Sequence, residues 1–182
     1  IDAIVVDNCP TSSLSKDDEY KQALGPVRME FVESWKNPHF FANQPQPRPN
    51  SLRNLYQELL EYQLNLPISV HSSIFVRAQE SRLDLLRVLI TGPAETPYSN
   101  GCFLFDVYLN DYPDSPPKVQ FLTTNSGRVR FNPNLYACGK VCLSLLGTWS
   151  GPSWIRGQST FLVCRYICVI GSSFMFMHLT VL

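Results

Sequence analysis

The sequence predicts an α+β fold, one domain following an N-terminal extension, and three observations predict it. A single amphipathic helical pattern runs over residues 51–65; four short strand patterns divided by turn signals follow; then comes an irregular polar loop that leads into a cysteine. Strands joined by such short turns pair as an antiparallel meander, because parallel neighbours need long crossovers. A helix, a meander and a functional loop in that order make an α+β arrangement. The 182 residues suit one domain plus an extension. With 45% hydrophobic and 16% charged residues, the composition is that of a globular protein.

Residues 1–49 read as an extension and linker, partly disordered. Asp17, Asp18 and Glu19 begin a short helix that Gly25 and Pro26 interrupt. Residues 43–50, NQPQPRPN, alternate proline with polar side chains and read as an extended linker, which places a domain boundary there. The catalytic-type domain is then 50–160, with an atypical apolar tail at 161–182.

Leu52, Leu55, Tyr56, Leu59 and Leu60 fall at helical spacing, while Arg53, Asn54, Gln57, Glu58 and Glu61 fill the opposite face. Asn50 or Ser51 caps this helix and Pro67 stops it. The strand patterns are 74–79; 84–90, which ends at Gly92 and Pro93; 103–109, where Phe103, Phe105, Val107 and Leu109 alternate with other residues; and a fourth begun by Val119 and Phe121.

The loop and its sequel, 131–149, read FNPNLYACGKVCLSLLGTW. Proline between Asn132 and Asn134 favours a turn, and asparagine adds a side-chain amide donor. Cys142 has Lys140 two residues away, and a nearby cation favours the thiolate, the nucleophilic form. Asn134 offers what acyl transfer also needs, a neutral donor aimed at a developing oxyanion. Fifteen basic residues balance fifteen acidic ones, which argues against a nucleic-acid partner, since phosphate neutralisation needs a surplus of Lys and Arg. Six cysteines at uneven positions, without an apolar leader, suggest reduced thiols in a cytoplasmic or nuclear setting.

The order of these elements carries a resemblance. The helix and strands, TGPAETPY at 91–98 with Gly101 after it, YPDSPPKV at 112–119, then Asn132-Pro133-Asn134 and KVCLSLL at 140–146 closely resemble the catalytic domain of ubiquitin-conjugating (E2) enzymes. The likeness runs from about Asn50 to Trp154, and the wording around the cysteine is most similar to the large members, the hybrid E2/E3 type with BIR repeats among them. The resemblance implies that Cys142 takes ubiquitin from an activating enzyme (E1) as a thioester and passes it to a substrate lysine or to a ligase (E3). It implies that Asn134 stabilises the oxyanion and supports the loop. Pro133 matches the motif's proline, and Asn132 stands where small members have a histidine that organises the loop, a departure that fits the large members and implies altered packing with no loss of chemistry. Ser144 stands where Asp is frequent, so no acidic group is supplied there. Asp114 occupies the place of an exposed apolar residue that RING ligases use, which puts a conventional docking surface in doubt. No cofactor is implied, because ATP is consumed by the upstream activating enzyme.

Three alternatives remain open on the sequence. The apolar stretch 161–182, interrupted by Gly171-Ser172-Ser173, is a capping segment, the product of a truncated reading frame, or a membrane tail anchor. Cys138 and Cys142 with Cys164 and Cys168 have a spacing that a four-thiolate zinc site permits. An E2-like binding module without catalysis is the remaining rival.

Overall fold

The computed structural model describes residues 14–47 and 49–156. Helix α1, Lys16–Leu24, starts where Ser15 Oγ accepts the Asp18 N–H at 3.2 Å. Its first turn holds Asp17, Asp18 and Glu19, which complement the exposed N–H groups of a helix start. It ends at Gly25 and Pro26, as expected. Asp17 ties α1 to the body by accepting the Val70 N–H at 2.9 Å. The Lys21 ammonium, that N–H and the Ser69 hydroxyl hold the Asp17 carboxyl down at about 2.

Among the described residues a fifth strand joins the four expected. Strand β1, Met29–Val32, comes from within the stretch read as an extension, and it pairs parallel with β2, Ile74–Gln79. The 41 residues between them (33–73) provide the long crossover that a parallel pair requires, and helix α2, Pro49–Asn65, lies within it. That helix begins ahead of the expected cap, since a proline lacks only an N–H that the first turn leaves unpaired in any case. The meander is as expected: β2, β3 (Arg82–Thr91), β4 (Cys102–Tyr108) and β5 (Lys118–Phe121) pair antiparallel in chain order.

Residues directly opposite on neighbouring strands share a face. Val76, Val88, Phe105 and Phe121 are in register across β2 to β5, and all four are buried. Leu55, Leu59 and Tyr62 of α2 join them in one core. Glu58 accepts the Tyr62 and Tyr112 hydroxyls, so a carboxylate at the helix edge satisfies two phenols.

The opposite face of the sheet is crossed by residues 35–45, which act as a strap. Arg87 grips Asp106 with two bonds, 2.7 and 2.9 Å, and donates to the carbonyls of Asn37 and Pro38, each at 3.2 Å. Arg82 does the same for Asp84, at 2.9 and 2.7 Å, and reaches the Gln44 and Pro45 carbonyls. Both carboxylates have fully buried side chains, so each guanidinium satisfies a buried charge and anchors the strap at once. Phe41 stacks on Tyr108, and the Trp35 ring lies 5.0 Å from the Arg87 guanidinium.

His39 sits inside this contact. Its Nε2 is 2.9 Å from the Leu86 carbonyl, which can only accept, so that nitrogen carries the proton; Nδ1 accepts the Phe41 N–H at 3.2 Å. Burial holds the His39 pKa below its ordinary 6.5, against the opposing pull of the Leu86 carbonyl and Asp106. The unfolded chain therefore binds the proton first as pH falls. Stability from neutral His39 is present above 6.5 and is lost below it, down through the folded-state value. Thermal melts from about pH 7 to about pH 5 should show a decline that is shallower in His39→Gln, which has no titrating group.

Candidate active site

The loop that follows β5 is fastened at its base by aromatic rings. Phe131 meets Phe103 and Phe121 edge-on, each with centroids 5.4 Å apart, and the Tyr98 hydroxyl donates to the Phe131 carbonyl at 3.1 Å. From there the chain enters the Asn-Pro-Asn turn. Asn132 Oδ1 accepts the N–H groups of both Asn134 and Leu135 at 2.8 Å, an Asx turn that fixes the direction of the next residues.

Asn134 and Cys142 are then held to each other twice. The Asn134 Nδ2 donates to the Cys142 carbonyl at 2.7 Å, and the Cys142 N–H donates to the Asn134 carbonyl at 2.9 Å. Between them the chain doubles back, with Leu135 bridged to Val141. The return turn needs a glycine: Gly139 has φ +86, and a Cβ there would lie 1.9 Å from Gln120 Nε2 and 2.5 Å from the Phe121 carbonyl oxygen. That close approach exists because the turn docks on β5, where the Phe121 N–H donates to Gly139 at 2.8 Å and Gln120 Nε2 donates to Cys138 at 2.8 Å.

Beyond the cysteine, Thr148 closes the loop. Its hydroxyl accepts the Leu143 N–H at 2.9 Å and faces the Val141 carbonyl at 2.8 Å, so one side chain ties residues on both sides of Cys142. Ser144 opens a short 3-10 turn, Ser144–Leu146, and Gly151 packs against it. Trp154 donates to the Pro113 carbonyl at 2.8 Å and packs on Tyr112, next to the cis Tyr112–Pro113 bond.

The structure thus gathers Asn132, Asn134 and Cys142 into one bonded unit. Pro133 lies exposed at the turn, with its carbonyl accepting from Arg130 at 3.3 Å. Lys140 is exposed, and among the described residues its ammonium forms no ion pair. Cys142 itself is only 2% exposed, whereas Cys138 and Cys102 are exposed. Asp114 forms an ion pair with Arg156 at 2.6 Å. Sequence reasoning missed Thr148 and Gln120, both single polar residues whose roles arise only when the loop folds back on β5.

An amide nitrogen carries two hydrogens, and the Cys142 carbonyl takes one from Asn134 Nδ2. The other forms no hydrogen bond among the described residues. Among the described residues, no group of three or more His, Cys, Asp or Glu side chains is placed to hold a metal; Cys164 and Cys168 lie outside them. Also among the described residues, no helix is long and apolar enough to cross a membrane, and the tail 161–182 lies outside them.

Comparison with known proteins gives this geometry its context. The family model described as ubiquitin-conjugating enzyme matches residues 54–170. The chain is 48% identical over 153 residues to the mouse dual E2 ubiquitin-conjugating enzyme/E3 ubiquitin-protein ligase BIRC6, which covers 82% of this chain and 3% of that protein. It is 44% identical over 142 residues to the Arabidopsis thaliana putative ubiquitin-conjugating enzyme E2 38, covering 74% of this chain and 41% of the relative. The chain therefore spans a minor part of these relatives. Its fold resembles the crystal structure of a ubiquitin-conjugating enzyme E2 from Plasmodium falciparum, with a TM-score of 0.52 and 20% identity over 78% of this chain and 96% of that one. The fold, the matched segment and the relatives agree: this chain belongs to the ubiquitin-conjugating enzyme family.

Proposed function

We propose that the chain transfers ubiquitin through Cys142. The thiolate of Cys142 attacks the thioester carbonyl of ubiquitin carried on an activating enzyme, whose thiolate leaves. A substrate lysine amine then attacks the new thioester, the Cys142 thiolate leaves, and the amine proton passes to solvent as the isopeptide bond forms. The observation that carries this reading is the reciprocal pair of hydrogen bonds between Asn134 and Cys142, which keeps an amide donor next to the nucleophile.

Ubiquitin, an activating enzyme, substrate proteins and, in some reactions, a ligase are the partners of this scheme. Nucleic acid is not. The chain holds no cofactor of its own, since ATP is spent upstream, and it works in the cytoplasm or nucleus. Incubation with activating enzyme, ATP and ubiquitin should add one ubiquitin mass that a reductant removes and that Cys142→Ser does not form in reductant-sensitive form. One observation favours a second reading, a binding module without catalysis: Cys142 is 2% exposed, and a sulfur must be reached to be charged. The same incubation separates the two, because the module forms no adduct.

A further inference from the structure

The strap over β3 and β4 is organised around His39. The Phe41 N–H donates to His39 Nδ1 at 3.2 Å and the Ala42 N–H to the His39 carbonyl at 3.0 Å, while the Phe40 N–H reaches Asp106 at 2.7 Å. Nε2 already carries the proton it gives to the Leu86 carbonyl, so a second proton must go to Nδ1. There it meets the Phe41 N–H, and two donors cannot share one bond. The Asp106 carboxylate lies 3.5 Å from Nε2, but Arg87 and the Phe40 N–H already occupy it. Asp84 on β3 is likewise taken up by Arg82, and Arg87 itself opposes a positive ring. On the strap side, the rings of Trp35 and Phe41 lie 5.3 and 6.0 Å from the imidazole, and Lys36 is exposed. The apolar hold on the strap is small: Phe41 forms with Leu85 and Tyr108 a cluster separate from the main core that α2 joins. Phe41 also lines a cavity of about 460 Å³, together with Val141 just before Cys142 and Leu146 and Thr148 after it.

We infer that residues 35–45 are a latch worked by proton binding at His39: the protonated ring lets the strap leave β3 and β4, and Phe41 then withdraws from the wall beside the chain that carries Cys142. The strap is held by its small cluster and by arginine bonds to its carbonyls, so it opens while the rest of the fold stays closed. In the released strap the imidazole meets water and titrates near its ordinary 6.5, whereas in the docked strap burial holds it lower. The released share is therefore flat above 6.5 and grows as pH falls below it, down to the docked value. Between about pH 7.5 and about pH 5.5 the growth is about three- to tenfold. The latch belongs to the fold and stands whether or not Cys142 carries ubiquitin.

The test is amide hydrogen exchange on the full chain at about pH 7.5 and about pH 5.5, with each rate corrected for the pH dependence of exchange in a free peptide. Protection at Phe40, Phe41 and Ala42 should fall about three- to tenfold with the drop in pH. Amides of β3 and β4 should keep protection at least about tenfold above that of the strap at both pH values, because the sheet stays folded while the strap leaves. His39→Asn has a side-chain oxygen that can accept the same N–H two residues on, and it does not titrate, so its strap protection should be equal at the two pH values. His39→Gln is a second variant without a titrating group, and the unaltered chain decides alone if circular dichroism shows neither to be folded. Strap protection that does not change with pH, an equal fall in a folded variant, or protection in the strap equal to that in the sheet would overturn the inference.

Discussion

Asn134→Ala should form the ubiquitin thioester yet discharge it onto lysine about 10²- to 10³-fold more slowly, the usual cost of one lost oxyanion donor. Both steps pass through a tetrahedral oxyanion, but in charging the attacking thiolate already carries the charge that the carbonyl oxygen receives, whereas in aminolysis an uncharged amine creates it. In the proposed reaction the second hydrogen on Asn134 Nδ2 is the donor for that charge. The first is donated to the Cys142 carbonyl, with nitrogen and oxygen 2.7 Å apart, and shapes the loop, so the substitution also removes a structural bond. Single-turnover discharge to free lysine, run beside a thermal melt, separates the two contributions. A loop role alone would shift the melt and slow charging and discharge together; a donor role slows discharge selectively. Asn134→Asp, which keeps the shape and loses both donors, should behave like alanine.

Arg87→Ala should destabilise the domain by about 3–5 kcal/mol, the range for stripping one partner from a buried ion pair. Asp106, whose side chain is fully buried, would keep the Phe40 N–H at 2.7 Å as its remaining short contact and lose both guanidinium bonds. The strap would lose the anchors on Asn37 and Pro38 and the cation over Trp35. Urea unfolding measures the loss, and combining Arg87→Ala with Asp106→Leu should recover part of it, because the uncompensated charge is then gone. An effect below about 1 kcal/mol, as at an exposed pair, would mean that the strap is not held in this way.

Helix α2 was legible because Leu55 and Leu59 repeat at helical spacing, and β2 was legible to its end residues because Ile74, Val76 and Ala78 alternate with polar or larger neighbours. Strand β1 was not. It has four residues with only Met29 buried, and its partner lies more than forty residues on, so no local alternation announces it. The strap reads as a linker for a related reason. It forms few bonds within itself and is fixed through main-chain carbonyls at Asn37, Pro38, Gln44 and Pro45, acceptors that every residue has.

At the site, the pairing of Asn134 with Cys142 was foreseen from the turn chemistry and the family resemblance. At Asn132 the sequence led only to an expectation of altered packing, whereas the side chain accepts two N–H bonds of the turn. The burial of Cys142 was not legible, since how deep a thiol sits depends on what the fold lays over it. The clasp by Thr148 was hidden likewise, for one hydroxyl after a Gly has no periodic signature.

The described residues include three free thiols, two exposed and one buried. Access alone would favour Cys138 or Cys102, whereas the Asn134 amide bonded to the cysteine's own backbone favours Cys142. The direct measurement is to charge the chain with ubiquitin at mildly acidic pH, digest it without reductant, and locate by mass spectrometry the cysteine that bears the ubiquitin C-terminus. Ubiquitin on Cys142, absent from Cys138 and Cys102, is the expected result. An adduct on either exposed thiol with Cys142 free, or no adduct on any of them, would contradict transfer through Cys142.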